Sequence, residues 1–306
     1  MQALASGTDI GIDLDTSLGN VDLKVDGTVG DLATPSGIDL KAVASSDDVA
    51  QILERFAVEL PLSGTLRVDT AMTSVEAGTR FAVDAKAGEI ATTVTATHTD
   101  GAVRFEAAVP ALDKMGKALE IEGLPAQDLA VEGLVLIEPQ AYRLQGVTAR
   151  LGEAEVNFHG TIGQGTDAAT ELSIRAVGPS LASLSDGLPA IPFKAALNAS
   201  LAPEQLVLDA IETTFGESDL AGAVDVTMGD KTIINGKLSS QRLDLTPFAA
   251  DSEEADKEEK SASKAEEGKS QSKYVFVEEP LPFEALNTTD IDFDTDIGRL
   301  TLDKIV

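Results

Sequence analysis

From Val21 onward the chain reads VDLKVD, which puts Val21, Leu23 and Val25 on one side and Asp22, Lys24 and Asp26 on the other. The same period of two runs through VRFEAAV, AEVNFHG, ELSIRAV and FKAALNASL. It sets Val103 with Phe105, Val156 with Phe158, Leu172 with Ile174, and Phe193 with Ala195 and Leu197. Towards the C-terminus Asp290, Asp292, Asp294 and Asp296 alternate with Ile291, Phe293, Thr295 and Ile297. Alternation over four to eight residues predicts strands with one apolar and one wet face. Clusters of Gly, Asp and Asn between the runs predict hairpin turns.

A long repeat organises these strands. Leu-Pro recurs at Leu60-Pro61, Leu124-Pro125 and Leu188-Pro189, and Gly-Glu at Gly88-Glu89, Gly152-Glu153 and Gly216-Glu217, every step being 64 residues. Gly37, Gly101 and Gly165 keep the same step. Two dipeptides locked in one register over three copies indicate stacked supersecondary units. A helical pattern precedes the first Leu-Pro, in SSDDVAQILERF, with Val49, Ile52, Leu53 and Phe56 at helical spacing behind a Ser/Asp cap. VPALDKMGKALE fills the matching place in the second unit, and GPSLASLSDGLP is a weaker version in the third. Each unit therefore reads as several antiparallel strands plus one short helix, with Leu-Pro ending the helical segment.

The expected layout is leading strands over 1–36, then repeat units over 37–100, 101–164 and 165–250. Residues 251–273 form a charged Ser/Ala/Lys/Glu tract with nothing apolar larger than Ala, which reads as a disordered loop. Residues 274–306 begin a further β segment, and Pro280 and Pro282 set an extended approach to it.

Composition narrows the function. Hydrophobic residues make up 43 % of the chain but aromatics only 4 %, with no Trp, so the apolar mass is Ala, Val, Leu and Ile and suits thin β layers. A net charge of −29 argues against nucleic acid and against electrostatic docking on an anionic membrane. With no Cys there are no disulfides, thiolate metal sites or Cys nucleophile. Neither a signal peptide nor a membrane-spanning apolar run is visible.

The aspartate run invites a calcium reading. Asp292, Asp294, Asp296 and Asp303 fall at places one, three, five and twelve of a calcium loop, but place six is Ile297, where the sharp turn needs Gly. A strand with a solvated face fits better, and Asp9, Asp13 and Asp15 in TDIGIDLD read the same way. His98 and His159 sit in different units with no third ligand at matching spacing, and the Gly-Glu steps read as turns with a charged tip. No catalytic constellation, metal site, phosphate cradle or cofactor motif is found, so the chain reads as a non-enzyme with no cofactor.

The segment FVEEPLPFEALNTTDIDFDTDIGRLTL resembles the AsmA family of bacterial envelope proteins, in which a charged loop precedes a Pro-Leu-Pro-Phe turn and a strand pair. LASLSDGLPAIPFKAALNASL, FGESDLAGAVDVTM and INGKLSSQRLDLTPF are similar to that family's repeat. The match is best over residues 165–306. The resemblance implies a mainly β fold: elongated, curved antiparallel sheet repeats forming a U-shaped groove of the bridge-like lipid transfer type, with a short helix per repeat. It implies a periplasmic protein that binds or conducts phospholipid acyl chains between the inner and outer membranes and supports outer-membrane integrity. The partners it implies are acyl lipid, other envelope proteins, and an inner membrane reached through a helix absent from this sequence, which reads as a fragment. The expected groove lining is Val103, Phe105, Val156, Phe158, Leu172, Ile174, Phe193, Ala195, Leu197, Ile291, Phe293 and Ile297. A structural or adhesive extracellular β repeat, stiffened by calcium at the aspartate runs, is the alternative. A repetitive polysaccharide lyase is a weaker third reading, because no acid/base pair recurs.

Overall fold

A computed structural model describes residues 8–31, 36–55, 61–76, 78–121, 123–165, 168–185, 187–229, 231–249 and 289–302. The alternating runs become strands of one long, open, curved sheet with few helices, as the pattern predicts for strands and consistent with a β-groove. The strands are β1 (Thr8–Leu18), β2 (Val21–Asp31), β3 (Asp39–Ser46), β4 (Leu66–Val75), β5 (Gly78–Ala87) and β6 (Ile90–Thr99). Then come β7 (Ala102–Val109), β8 (Leu129–Glu138), β9 (Ala141–Leu151), β10 (Ala154–Gly163), β11 (Thr170–Gly178) and β12 (Phe193–Ala202). The last are β13 (Gln205–Phe215), β14 (Ser218–Thr227), β15 (Thr232–Ser240), β16 (Leu243–Asp244), β17 (Thr289–Ile297) and β18 (Leu300–Thr301).

Strand order in space is chain order from β1 to β15, all antiparallel, followed by β17. β17 departs from the pattern by pairing parallel to β15, Ile234 opposite Ile291 and Gly236 opposite Phe293. Parallel neighbours need a connection of about a dozen residues or more, and residues 250–288 give ample length. β18 does not pair with β17 as an adjoining strand pair requires. It pairs parallel with β16 instead, Leu243 opposite Leu300.

The 64-residue step is four strands. The boundaries at 37, 101 and 165 fall in the connections before β3, β7 and β11. Helical connections recur with the repeat: α1 (Val49–Arg55) follows β3, α2 (Leu112–Ala118) follows β7, and α3 (Thr246–Ala249) follows the short β16. The weakest helical pattern, after β11, yields only a 3-10 turn at Leu181–Ser183. The charged tract 251–273 and Phe56, Leu60, Pro280, Pro282 and Asp303 lie outside the described residues.

Hydrogen bonding explains why the two repeated dipeptides share a register. Gly88, Gly152 and Gly216 have φ of 58°, 57° and 55° and open two-residue hairpins, whose Glu is not left-handed. Their amides donate to the carbonyls of Thr65 (2.9 Å), Asp128 (3.3 Å) and Pro192 (2.9 Å), a few residues past each Leu-Pro. The first residue of each helical segment is tied back in parallel. Val49 donates to Gly64 (2.9 Å), Leu112 to Gln127 (2.8 Å) and Leu181 to Ile191 (2.9 Å). A helix start, a return segment and a hairpin are thus knotted together once per unit.

Bulges repeat as well. In β9 the register shifts around Gly146, and in β13 around Ala210, 64 residues on. Both sit in the left-handed region, at φ of 61° and 47°. A bulge bends its strand and increases local twist. Ala210 bears a Cβ in that conformation, whereas a Cβ at Gly146 meets nothing within 4 Å, so backbone strain is the only cost there. Ala210→Gly is expected to stabilise the fold by about 0.5–1 kcal/mol, strain relief outweighing the added chain entropy. Gly146→Ala is expected to destabilise it by about 1 kcal/mol. Urea titration of the two variants measures both signs.

Candidate functional site

Cross-strand partners share a face, so the registers fix which side chains lie together. Starting from β2, Val25 faces Ala42, which faces Thr70, which faces Val83, which faces Val94. Further on, Ala96 faces Phe105, Phe158 faces Ile174, Ile174 faces Leu197, and Gly236 faces Phe293. Followed through every pair, all twelve residues named from the sequence fall on this one face. They are Val103, Phe105, Val156, Phe158, Leu172, Ile174, Phe193, Ala195, Leu197, Ile291, Phe293 and Ile297. Within the strands this face carries no Lys, Arg or Glu; His98, Tyr142 and, at a strand end, Asp31 are its only ionisable groups.

The opposite face is charged. Arg67, Asp69, Arg104, Glu106, Glu132 and Arg150 project there, with exposed ion pairs such as Arg150 to Glu132 at 2.7 Å. Pairs of this kind are each worth about 0–1 kcal/mol and serve mainly to keep the face wet. The aspartate ladder of β17 belongs to the same face and is matched by lysines. Lys231 meets Asp290 at 2.6 Å and Lys237 meets Asp294 at 3.6 Å. Among the described residues no group of three His, Cys, Asp or Glu could hold a metal ion. His98 and His159 lie on opposite faces of different strands.

The two rims of the sheet differ. At the rim bearing the helical connections, apolar-face residues of interior strands are buried (Ala154, Phe193, Ser218 and Ser240), while Leu18 and Ile297 of the edge strands stay exposed. Phe215 meets Phe248 of α3 edge-on, with ring centroids 5.8 Å apart. At the other rim Val29 and Ile38 are buried, but from β8 onward the same face is more open. Ile137, Tyr142 (41 %), Ile162 and Leu201 (46 %) are all exposed there. Only seven apolar residues are buried among the described residues, far fewer than a two-layer sandwich needs, so no second layer covers the apolar face.

Phe193 differs from its eleven companions. It is only 5 % exposed, and a Cβ built at its partner Gly178 would sit 2.5 Å from its ring. The ring fills the space the glycine leaves, making Phe193 a structural plug at the helical rim. Phe293 does the same over Gly236, where a Cβ would meet the ring at 2.1 Å, yet its edge position leaves it exposed. Alternation put both on the right face but carried no sign of which rim was covered. The signal lay in the glycines directly opposite each Phe.

A discrete depression of about 570 Å³ lies on the charged face instead, lined by Asn157, Arg175, Lys194, Glu212 and Asp219 over Ala196 and Ala221. It is an open gap where long charged side chains flank alanines. The apolar face is a continuous surface, and its register and burial identify the site better than any single hollow does.

Asp219 anchors the end of the repeat. Its carboxylate accepts from the amides of Gln241 (3.0 Å) and Arg242 (2.9 Å), and those two hydrogen bonds hold its pKa below the ordinary carboxylate value. Asp244, lowered by the Thr246 hydroxyl and amide, caps α3. Comparisons with family models, curated proteins and solved structures give no match. Among the described residues, fold and site together define a one-layer β-groove with an uncovered apolar face.

A lowered folded pKa makes a stabilising contribution that is present above the unfolded value and lost as pH falls through the folded one. Asp219→Ala is therefore expected to lower the melting temperature at neutral pH, with the gap from the parent protein narrowing as pH drops below the ordinary carboxylate range. Thermal melts of both proteins across pH check this.

Proposed function

We propose that this chain is a lipid-holding β-groove of the bacterial envelope, which binds acyl chains along its apolar face and passes them between inner and outer membranes. The observation that carries the reading is the apolar face itself, continuous over sixteen strands, nearly free of ionisable groups and, among the described residues, without a covering layer. Exposed apolar surface of this extent needs an occupant. Acyl chains suit a lining of Val, Leu, Ile, Phe and Ala because they demand length and few polar contacts. The resemblance to the AsmA family supports the same reading, with a periplasmic location and tethering by a helix outside this sequence. On this reading the protein makes and breaks no bonds.

Organic extraction and mass spectrometry of the purified chain are expected to recover phospholipid near stoichiometric amounts. Leu197→Asp, at a half-buried position in the middle of the apolar face, is expected to cut the recovered lipid several-fold while far-UV circular dichroism stays unchanged. Val177→Asp places the same charge on the opposite face, where Val177 is exposed, and is expected to leave loading intact. Lipid-free protein, together with a melting temperature raised by calcium, favours the calcium-stiffened structural repeat instead.

A further inference from the structure

We infer that the outer edge of β17 is a docking edge for an extended segment of another protein, which pairs antiparallel and alternates apolar residues with Lys or Arg. This goes beyond lipid holding and does not depend on it. β17 lies last in the sheet, and every residue from Asp290 to Ile297 is exposed. Ile291 (59 %), Phe293 and Ile297 carry the apolar face to this edge, with no strand beyond them among the described residues.

The first strand of the sheet shows what such an edge is built to hold. Residues 12–19 read IDLDTSLG and residues 291–298 read IDFDTDIG, differing only at Leu14/Phe293, Ser17/Asp296 and Leu18/Ile297. β1 uses this stretch to hold β2: across the turn at Gly19 and Asn20, Leu18 faces Val21, Thr16 faces Leu23 and Leu14 faces Val25. In a two-residue hairpin the pair flanking the turn exchanges both main-chain hydrogen bonds. Leu18, Thr16 and Leu14 therefore turn their main-chain groups toward β2. In β17 the amide of Gly298 donates inward to Ser240 at 2.9 Å. Main-chain groups alternate sides along a strand, so Asp296 and Asp294 also point theirs at β15, and Ile297, Thr295 and Phe293 turn theirs outward. These are the counterparts of the three residues with which β1 holds β2.

The residues that follow do not take that place. Where β1 turns back, β17 runs straight on: Leu243 donates to Arg299 at 2.8 Å and Leu245 to Thr301 at 2.9 Å, and β18 stays parallel to β16. Charge then selects the occupant. On β1, Asp15 meets Lys24 of the strand it holds, at 3.1 Å. On β17, Lys231 and Lys237 answer Asp290 and Asp294 from the inner side, whereas Asp292 and Asp296 have no counter-charge among the described residues. Asp296 stands where β1 has Ser17, so this edge calls for more cations than β2 offers. A second copy would bring the aspartates of its own β1 or β17, which leaves a basic strand of a different protein. Main-chain hydrogen bonds supply the affinity in such strand addition, and alternate side chains supply the selectivity.

The test titrates the full chain into a fluorescent synthetic peptide with the sequence of residues 20–29 carrying Asp22→Lys and Asp26→Lys, and follows anisotropy. The expected result is saturable binding. Thr295→Pro removes an outward amide at an edge, where proline is tolerated. It is expected to weaken binding about tenfold or more with far-UV circular dichroism unchanged. The same peptide N-methylated at the places of Val21, Leu23 and Val25 keeps its charge but loses the donors that face β17. It is expected to bind as weakly, and it decides the question if the proline variant misfolds. Asp292→Asn with Asp296→Asn is expected to weaken binding several-fold, an effect that shrinks as salt is added. No binding overturns the inference. So does binding that survives the main-chain blocks, because net charge then accounts for it. Self-association of the chain in sedimentation that Thr295→Pro abolishes assigns the edge to a second copy and also overturns it.

Discussion

Hydrogen bonding between chain neighbours is the interaction on which everything else here depends. A sandwich holds its strands by pressing two apolar faces together, but this sheet has one layer among the described residues. Each strand is held by the ladders on either side of it and by the side-chain contacts those ladders align. That explains the investment at the helical rim, where every unit ties its helix start, its return segment and its Gly-Glu hairpin together with main-chain bonds. It also explains the plugs, since Phe193 over Gly178 and Phe293 over Gly236 restore packing where a strand lacks a side chain. A face left uncovered in this way is available to a ligand because the architecture does not need it for closure.

Much of this was legible in the sequence. Alternation is a two-residue property, so any run of VDLKVD type announces its own faces, and once hairpins set the register the faces of sixteen strands must merge. The repeat was legible too, because Leu-Pro and Gly-Glu mark points where the backbone has special demands: an extended return and a left-handed turn. What alternation cannot encode is what lies over a residue. Phe193 and Leu197 are equivalent by pattern, yet only Phe193 is covered, because it opens β12 at the helical rim with its ring over Gly178, whereas Leu197 lies mid-strand. The parallel arrival of β17 was hidden for a related reason. Strand polarity after a long connection is set by length and by the partner edge, and an alternating run reads the same for either direction.

The charged face has its own logic. An open sheet ends in edge strands that can recruit further strands, and charged side chains at an edge discourage that. β17 carries four aspartates on one face, of which two are answered by lysines of the neighbouring strand and turn. Among the described residues Asp292 and Asp296 have no such counter-charge, which leaves this edge negative. The same composition that keeps the outside wet thus makes the growing edge of the sheet unwelcoming to a second acidic copy.

The repeat contains an even number of strands, and this has a geometric consequence. At about 4.8 Å per strand, one 64-residue unit adds about 19 Å of span, and the fifteen steps across this sheet cover about 72 Å. Because four strands return the chain to the rim and direction it started from, a unit can be gained or lost with the apolar face still facing the same way. The helical connections also stay on one side. Gain or loss of a single strand reverses the chain direction and moves every later connection to the other rim. A molecule built like this can be lengthened to match a gap in whole units of its repeat, so its span is set directly by the number of units encoded.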